Sequence, residues 1–97
     1  MITNRNSLFL ISNLGSEVTK IFSAKKSGNV KMLEVARDKA KSIIRQLKDL
    51  PDTKNNLEID ILSDVIEDIT SKEQKYDINP EHLESYFYPF AVRLMQM

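Results

Sequence analysis

The chain has 97 residues, of which 41% are apolar and 29% charged, and its formal net charge is zero; these values are typical of one globular domain with a single core. It has no cysteine, which excludes disulfides and thiolate chemistry. Only two glycines and three prolines are present, which leaves little material for the tight turns of β-hairpins.

Targeting signals and membrane spans are not apparent. The early apolar run "LFLI" is too short for the core of a signal peptide, and no small-residue cleavage site follows it. Nothing approaches the ~18–20 apolar residues of a membrane span. We therefore expect a soluble protein of the cytoplasm that does not contact a membrane.

The first predicted helix covers about residues 6–26. Thr3, Asn4 and Asn6 are alternative N-caps, and Gly28 falls where a left-handed residue commonly ends a helix. Its apolar residues recur at the spacing of one helical face. They are Leu8, Ile11, Leu14, Val18, Ile21 and Phe22.

The second and third predicted helices cover about residues 30–48 and 55–71. Asn29 is a suitable cap for the second helix, and "LPDTKNN" ends it, because a proline disfavours helical geometry at the preceding residue. The start of the third helix, "LEIDI", alternates like a β-strand. A single short strand would have no partner in this chain, so a helix is the preferred interpretation. Its apolar face consists of Ile59, Leu62, Val65, Ile66 and Ile69.

The fourth predicted helix covers about residues 80–96. Asn79 and Pro80 form a cap followed by a proline at the first helical position, and Leu83, Phe87, Phe90 and Leu94 share one face. Four amphipathic helices with short connections predict an all-α, antiparallel four-helix bundle in a single domain of residues 1–97.

The fourth helix contains an aromatic block, "YFYPF", with four of the seven aromatic residues of the chain. If Phe87 and Phe90 enter the core, the tyrosines flank it, and the block closes one end of the bundle. The alternative is an exposed interface patch, because tyrosine and methionine are enriched in protein interfaces. The candidate interface residues are Tyr86, Tyr88, Met95 and Met97.

Charge is sorted along the chain. Residues 25–48 contain eight basic residues and two acids, whereas residues 49–84 contain eleven acids and three lysines. A basic row on the second helix, formed by Arg37, Lys41, Arg45 and Lys48, is a candidate surface for a charged partner. The simpler interpretation is a solvated face that partly meets acids of a neighbouring helix. Nucleic acid is disfavoured, because the domain is neutral and the row lacks aromatic residues.

Catalytic motifs are sparse. His82 is the only histidine, and the serines have no assignable base. Carboxylates at i and i+4 on the third helix lack the converging oxygens that calcium needs, and phosphate-binding glycine motifs are absent. We expect no cofactor and no metal. An enzyme that uses His82 with carboxylates of the third helix is the weakest alternative.

These observations favour a small helical protein–protein interaction or assembly module without catalysis of its own. Self-association as a homodimer is the expected form, because a small domain with an exposed patch commonly pairs with a second copy by two-fold symmetry. The alternative function is a regulatory protein that contacts nucleic acid or a charged partner through the basic row of the second helix.

Overall fold

A computed structural model describes residues 4–96 and contains four helices. They are α1 (Arg5–Ser27), α2 (Val30–Asp49), α3 (Leu57–Thr70) and α4 (Pro80–Met95). The predicted all-α four-helix fold is confirmed, and each helix lies within two residues of its predicted bounds. No strand occurs in the described part of the chain.

Asparagine caps the N-terminus of all four helices. Asn4, Asn29, Asn56 and Asn79 each have extended backbone, and each side chain accepts a hydrogen bond from an amide of the first turn. This satisfies a donor that has no partner within the helix. Gly28 ends α1 with φ of 71°, the left-handed conformation that glycine adopts without steric cost.

The alternating segment at the start of α3 is helical. Ile59 points into the core, whereas Leu57 and Ile61 are 70% and 53% exposed. At about 100° per residue, the alternation places apolar side chains on two different sides of the helix. The segment therefore adds apolar surface outside the core.

The core surrounds α1, whose residues Ile11, Leu14 and Val18 are fully buried. Helix α1 packs against α2 and α4, and α2 packs against α3. Gly15 allows the closest approach, because a β-carbon there would lie 2.7 Å from the Cβ atom of Phe87. Phe87 and Phe90 are buried, as predicted for the aromatic block.

Hydrogen bonds of polar side chains connect the C-terminal end of α3 to α1 and to the following loop. The Lys25 ammonium donates to the carbonyl of Ile69 at 2.8 Å, where the negative end of the α3 dipole lies. The buried carboxylate of Asp68 accepts from the amides of Lys75 and Tyr76 at 2.7 and 3.0 Å. These contacts position the loop that carries Ile78 toward α4.

Among residues 4–96, none of the helices combines the length and apolar character needed to cross a membrane.

Candidate functional site

A groove separates α3 from α4. No α-carbon of one helix comes within 8 Å of an α-carbon of the other, although both helices pack against α1. The space between them has a volume of about 310 Å³. We call it the α3–α4 groove. Its apolar lining consists of Ile61, Leu62, Val65, Ile78, Leu83 and Tyr86.

Three polar residues also line the α3–α4 groove: Glu58 on α3, Asn79 before α4, and His82 in the first turns of α4. Asn79 is occupied as the cap of α4, since its side chain accepts from the amides of Glu81 and His82. The groove is therefore mainly apolar, with few polar groups that could orient a ligand.

The Tyr86 hydroxyl donates a hydrogen bond to the Glu58 carboxylate across the groove. The Tyr86 ring packs edge-on against Phe87, with 5.2 Å between ring centroids, and also contacts Phe90 at 5.4 Å. Burial and the bond to Glu58 raise the pKa of Tyr86 well above its ordinary value. Tyr86 thus links the aromatic core to the wall that α3 provides.

Replacing Tyr86 with phenylalanine is expected to lower the free energy of unfolding at pH 7 by about 0.5–1.5 kcal/mol, the net contribution of one hydrogen bond. The substitution should also make the free energy of unfolding less dependent on pH in alkaline solution. The unfolded tyrosine releases its proton near pH 10, whereas the raised pKa of folded Tyr86 keeps the proton bound. Stability should therefore fall as the pH rises above about 10, and fall less in the variant.

Urea unfolding of both proteins at pH 7 and at about pH 10.5 checks this. Equal alkaline losses in the two proteins would contradict the hydrogen bond between Tyr86 and Glu58.

The structure divides the candidate interface residues between two sides of α4. Tyr86 lines the α3–α4 groove, whereas Tyr88 and Met95 are 71% and 81% exposed. Two residues along a helix correspond to a rotation of about 200°, so Tyr86 and Tyr88 face nearly opposite directions. Met97 lies outside the described residues. Tyr88 and Met95, seven residues apart, share the outer side of α4, which stays a predicted interface.

The basic row of α2 lies alongside α3. Lys41 pairs with Glu67 at 3.3 Å, and Lys48 pairs with Asp60 at 3.8 Å. These exposed pairs contribute ~0–1 kcal/mol each.

Of the other two residues of the row, Arg37 approaches the neighbouring Asp38 at 3.7 Å, and Arg45 is exposed beside a cleft between α2 and α3. A surface for a charged partner stays a prediction, although three of its four cations lie within ion-pair distance of acids of the same chain.

The enzymatic alternative requires His82 to meet carboxylates of α3. The structure brings His82 and Glu58 to one groove, and Glu58 already accepts from Tyr86. Within residues 4–96, no group of three or more histidine, aspartate or glutamate side chains is placed to hold a metal ion.

The α3–α4 groove was not predicted from the sequence. A signal for it exists in Ile61, an apolar residue that lines the groove and lies off the core stripe of α3. Such residues in a charged helix indicate a second apolar surface. The separation of α3 from α4 has no signal in the local pattern, since it depends on how each helix packs on α1.

The fold and groove define a small all-α protein with an open apolar surface. Comparisons with protein-family models, curated proteins and solved structures found no significant match to this chain.

Proposed function

We propose that this protein is an interaction module whose α3–α4 groove binds an amphipathic helix of another protein. The observation that carries the proposal is the groove itself, a mainly apolar space between two helices with the exposed side chain of Ile61 at its edge. Amphipathic helices bind to such grooves through apolar residues at i, i+3 or i+4, and i+7.

The dimensions of the groove support a helix as the occupant. A volume of about 310 Å³ is at the lower end of the range of small-molecule pockets, about 300–1,000 Å³, and such pockets bury most of their ligand. An open groove of this size suits a few side chains of a longer ligand. Helix α3 has 14 residues and is about 21 Å long, so it provides a wall for several helical turns.

A bound helix would also cover surface that the bundle leaves in water. Leu57 and Ile61 are the exposed large apolar residues of α3. Burying apolar area contributes about 25 cal/mol per Å² before the costs of association are subtracted. A partner helix would contact α3 and α4 together and would cover the side of the bundle where the backbones of these two helices stay more than 8 Å apart.

The test uses a labelled amphipathic peptide of about 18 residues, with leucines at i, i+3 and i+7 and equal numbers of lysine and glutamate. Replacing Ile61 with aspartate is expected to weaken binding at least about tenfold, because it removes an apolar contact and places a charge at the groove. Unfolding should change little, since Ile61 is half exposed. Fluorescence anisotropy measures the affinity.

Val35 provides the matched control. It is an exposed apolar residue on α2, with 46% exposure against 53% for Ile61, and it does not line the α3–α4 groove. Val35→Asp should leave peptide binding unchanged. Absence of binding, or equal losses in the two variants, would contradict the proposed function.

Self-association through Tyr88 and Met95 is a second proposal, favoured by their exposure on one side of α4. It ranks lower, because stable interfaces bury ~800 Å² per partner and two side chains supply only part of this area. The nucleic-acid alternative also ranks lower, because α3 acids lie beside the basic row. The cytoplasm stays the proposed location.

A further inference from the structure

Helix α4 is attached to the rest of the bundle by fewer buried side chains than the other helices. Only Phe87 and Phe90 are buried on α4, whereas α1, α2 and α3 contain nine, four and five buried residues. Leu83, Tyr86 and Leu94 are only partly buried against the core. The backbone of α4 comes within 8 Å of α1 but not of α2 or α3. Loss of the packing on α1 would therefore release the whole helix.

Polar contacts between α4 and the other helices are also few. Within residues 4–96, the hydrogen bond from Tyr86 to Glu58 is the only one that joins a side chain of α4 to another helix, and no ion pair includes a residue of α4. Helix α3, in contrast, is joined to α2 by two ion pairs and to α1 by the ammonium group of Lys25. The connections of α4 are thus concentrated in its packing on α1.

The backbone of α4 and the loop before it also favour movement of this helix. Pro89 has no amide proton, so the carbonyl of Ser85 lacks the donor that a helix normally provides four residues later. Proline is the least favourable residue in a helix interior, so α4 depends on its contacts with α1 for stability. The preceding loop is held to α3 as far as Tyr76, whose amide donates to Asp68. Residues 77–79 are therefore the position of a hinge.

We infer that α4 opens as one unit, with a hinge at residues 77–79, while α1, α2 and α3 stay folded. Proteins commonly open in cooperative segments whose free energies of opening lie below that of global unfolding, and segments with few buried contacts open most readily. The open state lacks the α4 wall of the α3–α4 groove, so the docking of α4 controls whether the groove exists. This inference concerns the free protein and does not rest on the proposed function.

Native-state hydrogen exchange of the free, ¹⁵N-labelled chain tests this opening. We expect the amides of Phe87 and Phe90, corrected for their intrinsic rates, to exchange at least about tenfold faster than those of Leu14 and Val18 on α1. Low concentrations of urea should accelerate exchange in α4, because the opening exposes apolar surface. A single corrected rate for all four amides would overturn the inference. Exchange in α4 that does not respond to urea would also overturn it, because fraying of the helix exposes little surface.

The variant Ile44→Val distinguishes the opening of α4 from global unfolding. Ile44 is 5% exposed on α2, whose backbone does not approach α4, and the substitution removes one buried carbon. Because the state with α4 open retains the contacts of Ile44, exchange in α4 should keep its rate, whereas exchange in α1 should become about two- to tenfold faster. Equal acceleration in α1 and α4 would show that α4 opens only by global unfolding, which contradicts the inference.

Discussion

Replacing Phe87 with alanine is expected to lower the free energy of unfolding by about 3–5 kcal/mol, the usual cost of removing a buried aromatic side chain. Phe87 is only 5% exposed, packs against Gly15 of α1, and contacts the ring of Tyr86. A cavity there would remove much of the packing between α1 and α4. Because folded domains typically have a total free energy of unfolding of about 5–15 kcal/mol, the loss at Phe87 would be a large fraction of the total. Urea unfolding followed by circular dichroism measures the change.

Tyr88 is the matched control, since it is the next aromatic residue in the chain and is 71% exposed. Tyr88→Ala should change the free energy of unfolding by no more than about 0.5 kcal/mol. Similar losses of stability in the two variants would contradict the orientation of α4, in which Phe87 faces the core and Tyr88 faces outward. If the Phe87 variant is too unstable to purify, Phe87→Leu should show a smaller loss at the same site.

Replacing Gly15 with alanine is expected to lower the free energy of unfolding by about 1–3 kcal/mol, the usual cost of an overpacked core. Alanine is the better helix former by about 1 kcal/mol, so an exposed glycine would show a gain. The added methyl group would lie 2.7 Å from the Cβ atom and 2.8 Å from the Cγ atom of Phe87. Because a Cβ atom moves only with its backbone, α4 must shift away from α1.

Ser16→Ala is the control for Gly15→Ala, because Ser16 is an exposed neighbour on the same helix. It should change stability little or raise it slightly. Combining Gly15→Ala with Phe87→Ala should cost less than the sum of the single losses, since the smaller residue 87 leaves α4 room to adjust. A stabilised Gly15→Ala protein would contradict the close packing of α1 and α4.

The helices themselves could be predicted from the sequence because their signals are local. Asn29, Asn79 and Gly28 occupy the capping positions that their conformational preferences indicate. The start of α3 has several local signals rather than one, because Asp52, Thr53, Asn55 and Asn56 all favour capping positions. Asn56 is the residue that caps the helix. Thr53 is instead buried, and its hydroxyl donates to the carbonyl of Leu47.

The candidate site could be predicted only in part, because it depends on the rotation and spacing of whole helices. The aromatic block predicts a contact surface on α4, but the sequence alone groups Tyr86 and Tyr88 in one interface patch. Helical rotation separates them, since Tyr86 lines the α3–α4 groove and Tyr88 lies on the outer side. The groove also needs Ile78, which the loop after α3 supplies through contacts made by Asp68 and Lys25.

The most direct test of the proposed groove is a titration of ¹⁵N-labelled protein with the amphipathic leucine peptide of about 18 residues that tests the proposed function. The amide chemical shift of each residue is followed during the titration. We expect the largest shifts at Ile61, Val65, His82 and Tyr86, with little change at Val35 and in the rest of α2. Shifts centred on Tyr88 and Met95 or on the basic row of α2, or no shifts at peptide concentrations of about 1 mM, would contradict helix binding in the α3–α4 groove.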